Sequence, residues 1–198
     1  MIHRSLLALA TVALAVSGCT EETIINNSEP RPETPAAAPT ATPTTPSSNV
    51  HLANAFNFVG HVGEITGYYF ATPSGKWRCA ILSHTKAGCQ ASSSWQSGLG
   101  IEGAPESVLD AAGQETTPNA IVVDREGDPQ FVALEQPEFS LDSANPLQFN
   151  RILAAAGFRC NVQEASGVSC LSETSGKGFT FSADGYAPQY TDVPAGAP

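Results

Sequence analysis

The residues of this chain best able to do chemistry are its five cysteines, because a thiol can be acylated, oxidised to a disulfide or used to hold a metal. Four of them stand in two equal pairs, Cys79 with Cys89 and Cys160 with Cys170, each pair separated by nine residues. Structural zinc sites place paired ligands about two to four residues apart, and no His lies near Cys160 or Cys170, so the spacing speaks against zinc. Nine is an odd number. It sets the two cysteines of a pair directly opposite on neighbouring antiparallel strands when the loop between them is also odd, for instance Glu164, Ala165 and Ser166. The expected bridges are therefore Cys79–Cys89 and Cys160–Cys170. Four cysteines allow three pairings, and the two crossed ones stay open.

The fifth cysteine, Cys19, closes a segment of another kind. His3 and Arg4 make a short basic start, Leu6 to Val16 is an apolar stretch too short for a stable span, and Ser17-Gly18 are small, so residues 1–18 read as a signal peptide. Val16-Ser17-Gly18-Cys19 resembles the lipobox of bacterial lipoproteins. That resemblance implies that Cys19 receives a diacylglycerol through a thioether, carries acyl chains such as palmitate, and becomes the new N-terminus. Residues 19–48 then hold Pro30, Pro32, Pro35, Pro39, Pro43 and Pro46 and no aromatic residue, a composition that cannot bury enough apolar area to offset the entropy of ordering it. In a polyproline II conformation, at about 3.1 Å per residue, this disordered Pro/Thr-rich linker would hold the body up to roughly 90 Å from a membrane. Its threonines Thr34, Thr40, Thr42, Thr44 and Thr45 suit an O-glycosylated stalk or a bare linker equally.

Other residue types offer less. A serine nucleophile needs a His base with an acid behind it, and beyond the signal segment the only histidines are His51, His61 and His84. Ser74, in Pro73-Ser74-Gly75, reads as a turn residue, and no Gly-x-Ser-x-Gly is present. Ser74-Gly75-Lys76 and Ser175-Gly176-Lys177 lack the earlier Gly of a phosphate-binding loop. Asp124, Glu126 and Asp128 alternate, with Glu135 eleven residues after Asp124, which partly matches a calcium loop. Pro129 takes the place of its turn glycine, and Arg125 supplies a cation already, so a solvated hairpin tip is the expectation and no metal or other cofactor is assigned. Trp77, Trp95 and Tyr69, with Tyr68 and Phe70, are the aromatics that could stack on a glycan if exposed, and would otherwise be core. No catalytic residue is assigned.

The elements that must position these groups read as β. The surroundings of the two cysteine pairs are alike (Trp77-Arg78-Cys79-Ala80-Ile81 beside Phe158-Arg159-Cys160-Asn161-Val162), which suggests two related hairpins, with turns in Ser83 to Gly88 and Gln163 to Gly167. Asn119 to Asp124 and Gln130 to Glu135 form a further hairpin around Arg125-Glu126-Gly127-Asp128-Pro129, Ile65 to Ala71 is a strand, and Gly178 to Ser182 alternates like an edge or half-buried strand. Pro146 to Ala156 suits either a short helix started by Asn145 and Pro146 or a strand leading into the second hairpin; Pro105 to Gly113 is the other helix candidate. The expected fold of residues 49–198 is thus a small, disulfide-stapled antiparallel β domain of two related halves, with one or two short helices.

Phe70-Ala71-Thr72-Pro73-Ser74-Gly75-Lys76-Trp77-Arg78-Cys79, followed by Gly157-Phe158-Arg159-Cys160, Gly167-Val168-Ser169-Cys170 and Ser175-Gly176-Lys177-Gly178-Phe179, resembles a family of small exported actinobacterial domains. Its members carry Phe-x-x-Pro-Ser-Gly-Asn before a first cysteine and Gly-His-Gly-Phe after the last; this chain has Lys76 and Lys177 at the Asn and His positions. The resemblance implies an exported, disulfide-stapled β domain and no particular chemistry. Charge narrows the function further: 9 Lys and Arg against 19 Asp and Glu give −10, and no local basic run offsets it, so nucleic acid is not an expected partner. The expectation is an extracytoplasmic protein held to the cell membrane by its lipid, acting as a non-catalytic module that binds an envelope protein or glycan. The alternative is an envelope enzyme working on glycan or peptide through carboxylates.

Overall fold

The computed structural model describes residues 49–92 and 98–198. Two sheets carry the body. In the first, β1 (Val59–Val62), β2 (Ile65–Ala71), β3 (Trp77–Leu82), β4 (Lys86–Ala91), β7 (Ala120–Asp124) and β8 (Gln130–Val132) pair in that order, all antiparallel. The short β9 (Asn145–Pro146) joins the end of β2 in parallel. In the second, β10 (Arg151–Ala155), β11 (Phe158–Gln163), β12 (Gly167–Ser172), β13 (Gly178–Ser182) and β14 (Gly185–Ala187) form an antiparallel meander. Between β4 and β7 the chain also makes a two-residue ribbon, β5 (Val108–Leu109) with β6 (Glu115–Thr116).

The β3–β4 and β11–β12 hairpins share one design. Cys79 faces Cys89 and Cys160 faces Cys170, each pair is bonded, and their Cα atoms lie 4.0 and 4.1 Å apart. Leu82 pairs with Lys86 and Gln163 with Gly167, so both hairpins close with three residues, and the first turn is shorter than its sequence suggested. Strand alternation sends the sulfurs inward with Ile81, Ala87, Ile121 and Val123 of one sheet and Leu153, Val162, Val168, Phe179 and Phe181 of the other, into one buried core. Both disulfides are fully buried there. Such bonds form and persist in oxidising, extracytoplasmic compartments. Among the described residues no helix is long and apolar enough to cross a membrane.

The outer faces differ. That of the first sheet is apolar: Tyr69, Ala80, Leu82, Ala120 and Val122 lie under Phe139, with Leu134, Leu141 and Ala144 packed alongside. This cover is fastened by Gln90, whose Oε1 accepts from Phe139 N at 2.9 Å, by Arg78 Nη1 donating to the carbonyls of Leu141 and Asp142, and by a 2.6 Å ion pair of Lys86 with Glu138. That of the second sheet is polar and lies under the C-terminal residues 189–193. Two 3-10 turns, Asn49–His51 and Ala55–Phe58, precede β1. Between them Ala53 N donates to Ile152 O at 2.8 Å, and Arg151 reaches the carbonyls of Val50 and Leu52 at 3.1 and 2.7 Å.

The helix candidate Pro105 to Gly113 is corrected, and the open choice at Pro146 to Ala156 is decided. In Pro105 to Gly113 the Asp110 carboxylate accepts from Ala112 N and Gln114 N at 2.9 and 2.8 Å, so a side-chain turn takes the donors a helix would use and a two-residue strand precedes it. Pro146 to Ala156 follows its strand reading, because Arg151–Ala155 finds a ladder partner in β11. Gly178 to Ser182 is an interior strand, flanked by β12 and β14 and buried at its first four positions.

Candidate functional site

Three turns and one loop residue gather at one end of the sandwich around a groove of about 320 Å³. They are the β2–β3 turn at Thr72 to Lys76, the β11–β12 tip, the β13–β14 tip at Ala183 and Asp184, and Phe149 just before β10. The first turn is tightly fixed. Thr72 N donates to Trp77 O at 3.0 Å, Trp77 N returns a bond to Thr72 Oγ1 at 3.2 Å, and Gly75 N donates to Thr72 O at 2.8 Å. Gly75 sits at φ +70°, which glycine adopts without strain, and Ser92 Oγ bonds the Gly75 and Lys76 carbonyls from outside.

Trp77 forms the inner wall. Its ring packs edge-on against Phe181 at 5.1 Å, and Nε1 donates to Leu99 O at 3.0 Å. Lys76 Nζ stands 4.5 Å from the centroid of that ring and 3.4 Å from Gly100 O, a cation held over an aromatic face. Around the rim Ser74, Lys76, Glu164 and Asp184 are exposed, and Phe149 is 42% exposed. The result is an aromatic wall bordered by one cation and two carboxylates. Lys76 covers the Trp77 face, so the accessible ring is Phe149, against which an apolar or sugar-like ring can pack while its polar edges bond the rim.

Ser74 has the turn role its neighbours predicted, with its hydroxyl 3.2 Å from Thr72 Oγ1 and accepting from Lys76 N at 3.3 Å. His84 sits at the far end of β3 from Ser74, roughly 20 Å away at about 3.3 Å per residue, and His61 on β1 is hydrogen-bonded to Thr66 on β2. The second Ser-Gly-Lys makes a similar turn, with Gly176 at φ +71° and Lys177 N on Ser175 Oγ at 3.3 Å. The Asp124 turn is a hairpin tip: Asp128 pairs with Lys177 at 3.0 Å and Arg125 O accepts from Ser172 Oγ at 2.6 Å. Among the described residues no group of three or more His, Cys, Asp or Glu is arranged to hold a metal ion.

Of the aromatic binding candidates, Trp77 borders the groove but is only 7% exposed. Tyr69 is 1% exposed because its place in β2 points it under the Phe139 cover; Oη donates to Ile65 O at 3.2 Å and burial pushes its pKa up, so it has no face for stacking. Trp95 and Cys19 lie outside the described residues. Phe149, Glu164 and Asp184 were not singled out by sequence. Only an apolar Phe149 beside Asn150, which takes φ +60°, hinted that this side chain leaves the core. No protein-family model matches the chain, and comparison with curated proteins and with solved structures likewise finds no match.

Proposed function

We propose that this chain is a lipid-anchored cell-envelope protein whose β body is a non-catalytic binding module. Cys19 carries the membrane anchor, residues 20–48 are the spacer, and the groove between Trp77, Phe149, Glu164 and Asp184 receives part of an envelope protein or glycan. The observation that carries this reading is the groove itself: a hydrogen-bonded turn and the Phe149 ring, reached from solvent, with charges of both signs on the rim. The family resemblance, over about Phe70 to Tyr186, agrees with an exported domain.

A test uses living cells of the source. A photo-crosslinking residue at Phe149 should capture one recurrent partner, a protein or a glycan, and Lys76→Glu should reduce the yield at least fivefold. Cys19→Ala should release the protein from the membrane fraction. Unspecific labelling would end the groove assignment, and unchanged fractionation would end the anchor. An envelope enzyme is the second reading, favoured by Glu164 and Asp184 sharing the groove. Both are exposed tip residues, whereas a hydrolytic pair sets one carboxyl in an apolar pocket, so activity on glycan lost in Glu164→Gln would be needed to move weight there.

A further inference from the structure

The segment that opens the body, Asn49 to Val59, presents two unlike faces. Inward, His51 and Phe58 are buried and Ala53 and Ala55 pack against the core. Outward, four apolar side chains, Val50, Leu52, Phe56 and Val59, stand in solvent among asparagines. Phe56, at 83%, is the most exposed large apolar side chain among the described residues. A fixed backbone holds these side chains out. Ala53 N donates to Ile152 O, Arg151 clamps the Val50 and Leu52 carbonyls, Phe56 N donates to Asn54 Oδ1 at 3.1 Å, and Asn145 Nδ2 donates to Asn57 O at 2.8 Å. The same stretch is without charge: residues 49–63 contain no Asp, Glu, Lys or Arg, whereas residues 64–198 contain 15 acids against 7 Lys and Arg. Keeping a phenyl ring and three aliphatic side chains in water on one short face is unfavourable, and such a patch on an otherwise acidic surface marks a contact.

We infer that this face rests on the lipid bilayer, with Phe56 and its apolar neighbours entering the boundary between headgroups and acyl chains. The inference rests on the Cys19 anchor proposed above and extends it from a tether to a seat. Position is the first argument, because Asn49 is where the linker joins the body, so the face lies at the point where a membrane tether arrives. Charge is the second. With 7 − 15 = −8 on residues 64–198, most of the body is repelled by anionic headgroups, and the uncharged face is the part that approaches a membrane without that cost. Its chemistry fits an interface, since aromatic and branched apolar groups sit at the acyl boundary while asparagine amides meet the polar layer. Arg151, exposed beside the face, adds a cation at its border. Four side chains would hold a free protein only weakly. A tether makes the contact intramolecular, so weak contact is enough. The like charge of two bodies opposes the other apolar surface always at hand, a second copy of this chain.

The test uses the mature chain, Cys19 to Pro198, coupled through Cys19, the one cysteine outside the two bridges, to a maleimide-headgroup lipid in phosphatidylcholine vesicles. The tether is then chemical, so contact is read apart from anchoring, which the Cys19→Ala fractionation reads in cells. The emission added by Phe56→Trp should fall at least twofold when the phosphatidylcholine carries brominated acyl chains, and Val59→Asp should reduce that quenching at least threefold. Leu109→Trp is the control. Leu109 is 68% exposed on the ribbon beside β8, at the opposite edge of the first sheet from β1, and emission from that position should be indifferent to bromine. No quenching at position 56, or equal quenching at 56 and 109, would overturn the inference while leaving the anchor intact. Unchanged fractionation with quenching intact would instead remove the anchor on which the inference rests. A dimer in lipid-free solution that Phe56→Ser abolishes would also overturn it, by giving the face to a second copy.

Discussion

Replacing Cys79 and Cys89 together by Ala removes one staple, and replacing Cys160 and Cys170 removes the other. The two losses should be equal, because each bond closes a loop with the same sequence separation of 10. Loop-closure entropy for about eleven residues amounts to about 3 kcal/mol per bond at room temperature. Both pairs are fully buried in one core, so the lost sulfurs add a packing cost of similar kind at both sites. With a urea m-value of about 2 kcal/mol/M, each double variant should lower the unfolding midpoint by about 1.5 M, and the slope should stay close to that of the parent, within the precision of the fit. The assay is equilibrium urea unfolding followed by tryptophan fluorescence and by far-UV dichroism, to establish a single transition. A cost below about 1 kcal/mol for one pair and above about 5 for the other would refute the reasoning, since it would mean that native packing around one sulfur pair, and not loop closure, sets the contribution.

Three further outcomes are expected. Gly178→Ala would set a Cβ 2.3 Å from Cys170 O and 3.0 Å from Leu171 Cα, so it should cost about 3 kcal/mol by urea unfolding, against about 1 for Gly176→Ala, which is at φ +71° but has open space. Burial pushes the Tyr190 pKa up to about 12, against the opposing Asn161 hydrogen bond. The folded state therefore keeps a proton that the unfolded chain gives up near pH 10; stability is untouched below pH 10 and falls by about 2 kcal/mol as pH rises to 12, a loss that Tyr190→Phe should reduce, leaving the smaller share from Tyr69 and Tyr186. Calcium at millimolar concentration should leave the thermal midpoint unchanged, because Asp128 is paired with Lys177; a rise of several degrees would contradict the hairpin-tip assignment.

Local spacing carried the hairpins. An odd interval between cysteines is enough to set Cys79 against Cys89 and Cys160 against Cys170, and β-branched and aromatic runs marked β2, β7 and β13. What spacing could not carry was contact between distant parts of the chain. Asp110 could cap a helix or fold back on Ala112 and Gln114, and only the surroundings choose. Gly178 to Ser182 alternates as an edge strand would, yet pairing with β14 on its far side makes it interior and residues 189–191 cover Thr180. The groove combines residues near positions 74, 149, 164 and 184, each an ordinary turn or loop residue in its own neighbourhood. Tyr69 and Phe149 show the same limit from two sides: aromatic identity does not say which ring is covered.

The entry of the chain into the body has a mechanical consequence. A pull on the chain upstream of residue 49 first meets two single-turn 3-10 segments and the Arg151 clamp on the Val50 and Leu52 carbonyls, all outside the main ladders. Those give way before β1 and β2 bear load, and the ten residues from Asn49 to Phe58 pay out as slack of up to roughly 30 Å at about 3.3 Å per residue. Unravelling that continued along the chain would then reach Cys79, where the covalent bridge to Cys89 keeps the hairpin loop from adding length. The first staple thus withholds its loop from the length gained under load while passing tension on to Cys89, and the second, 81 residues further on, withholds an equal loop when unravelling reaches it.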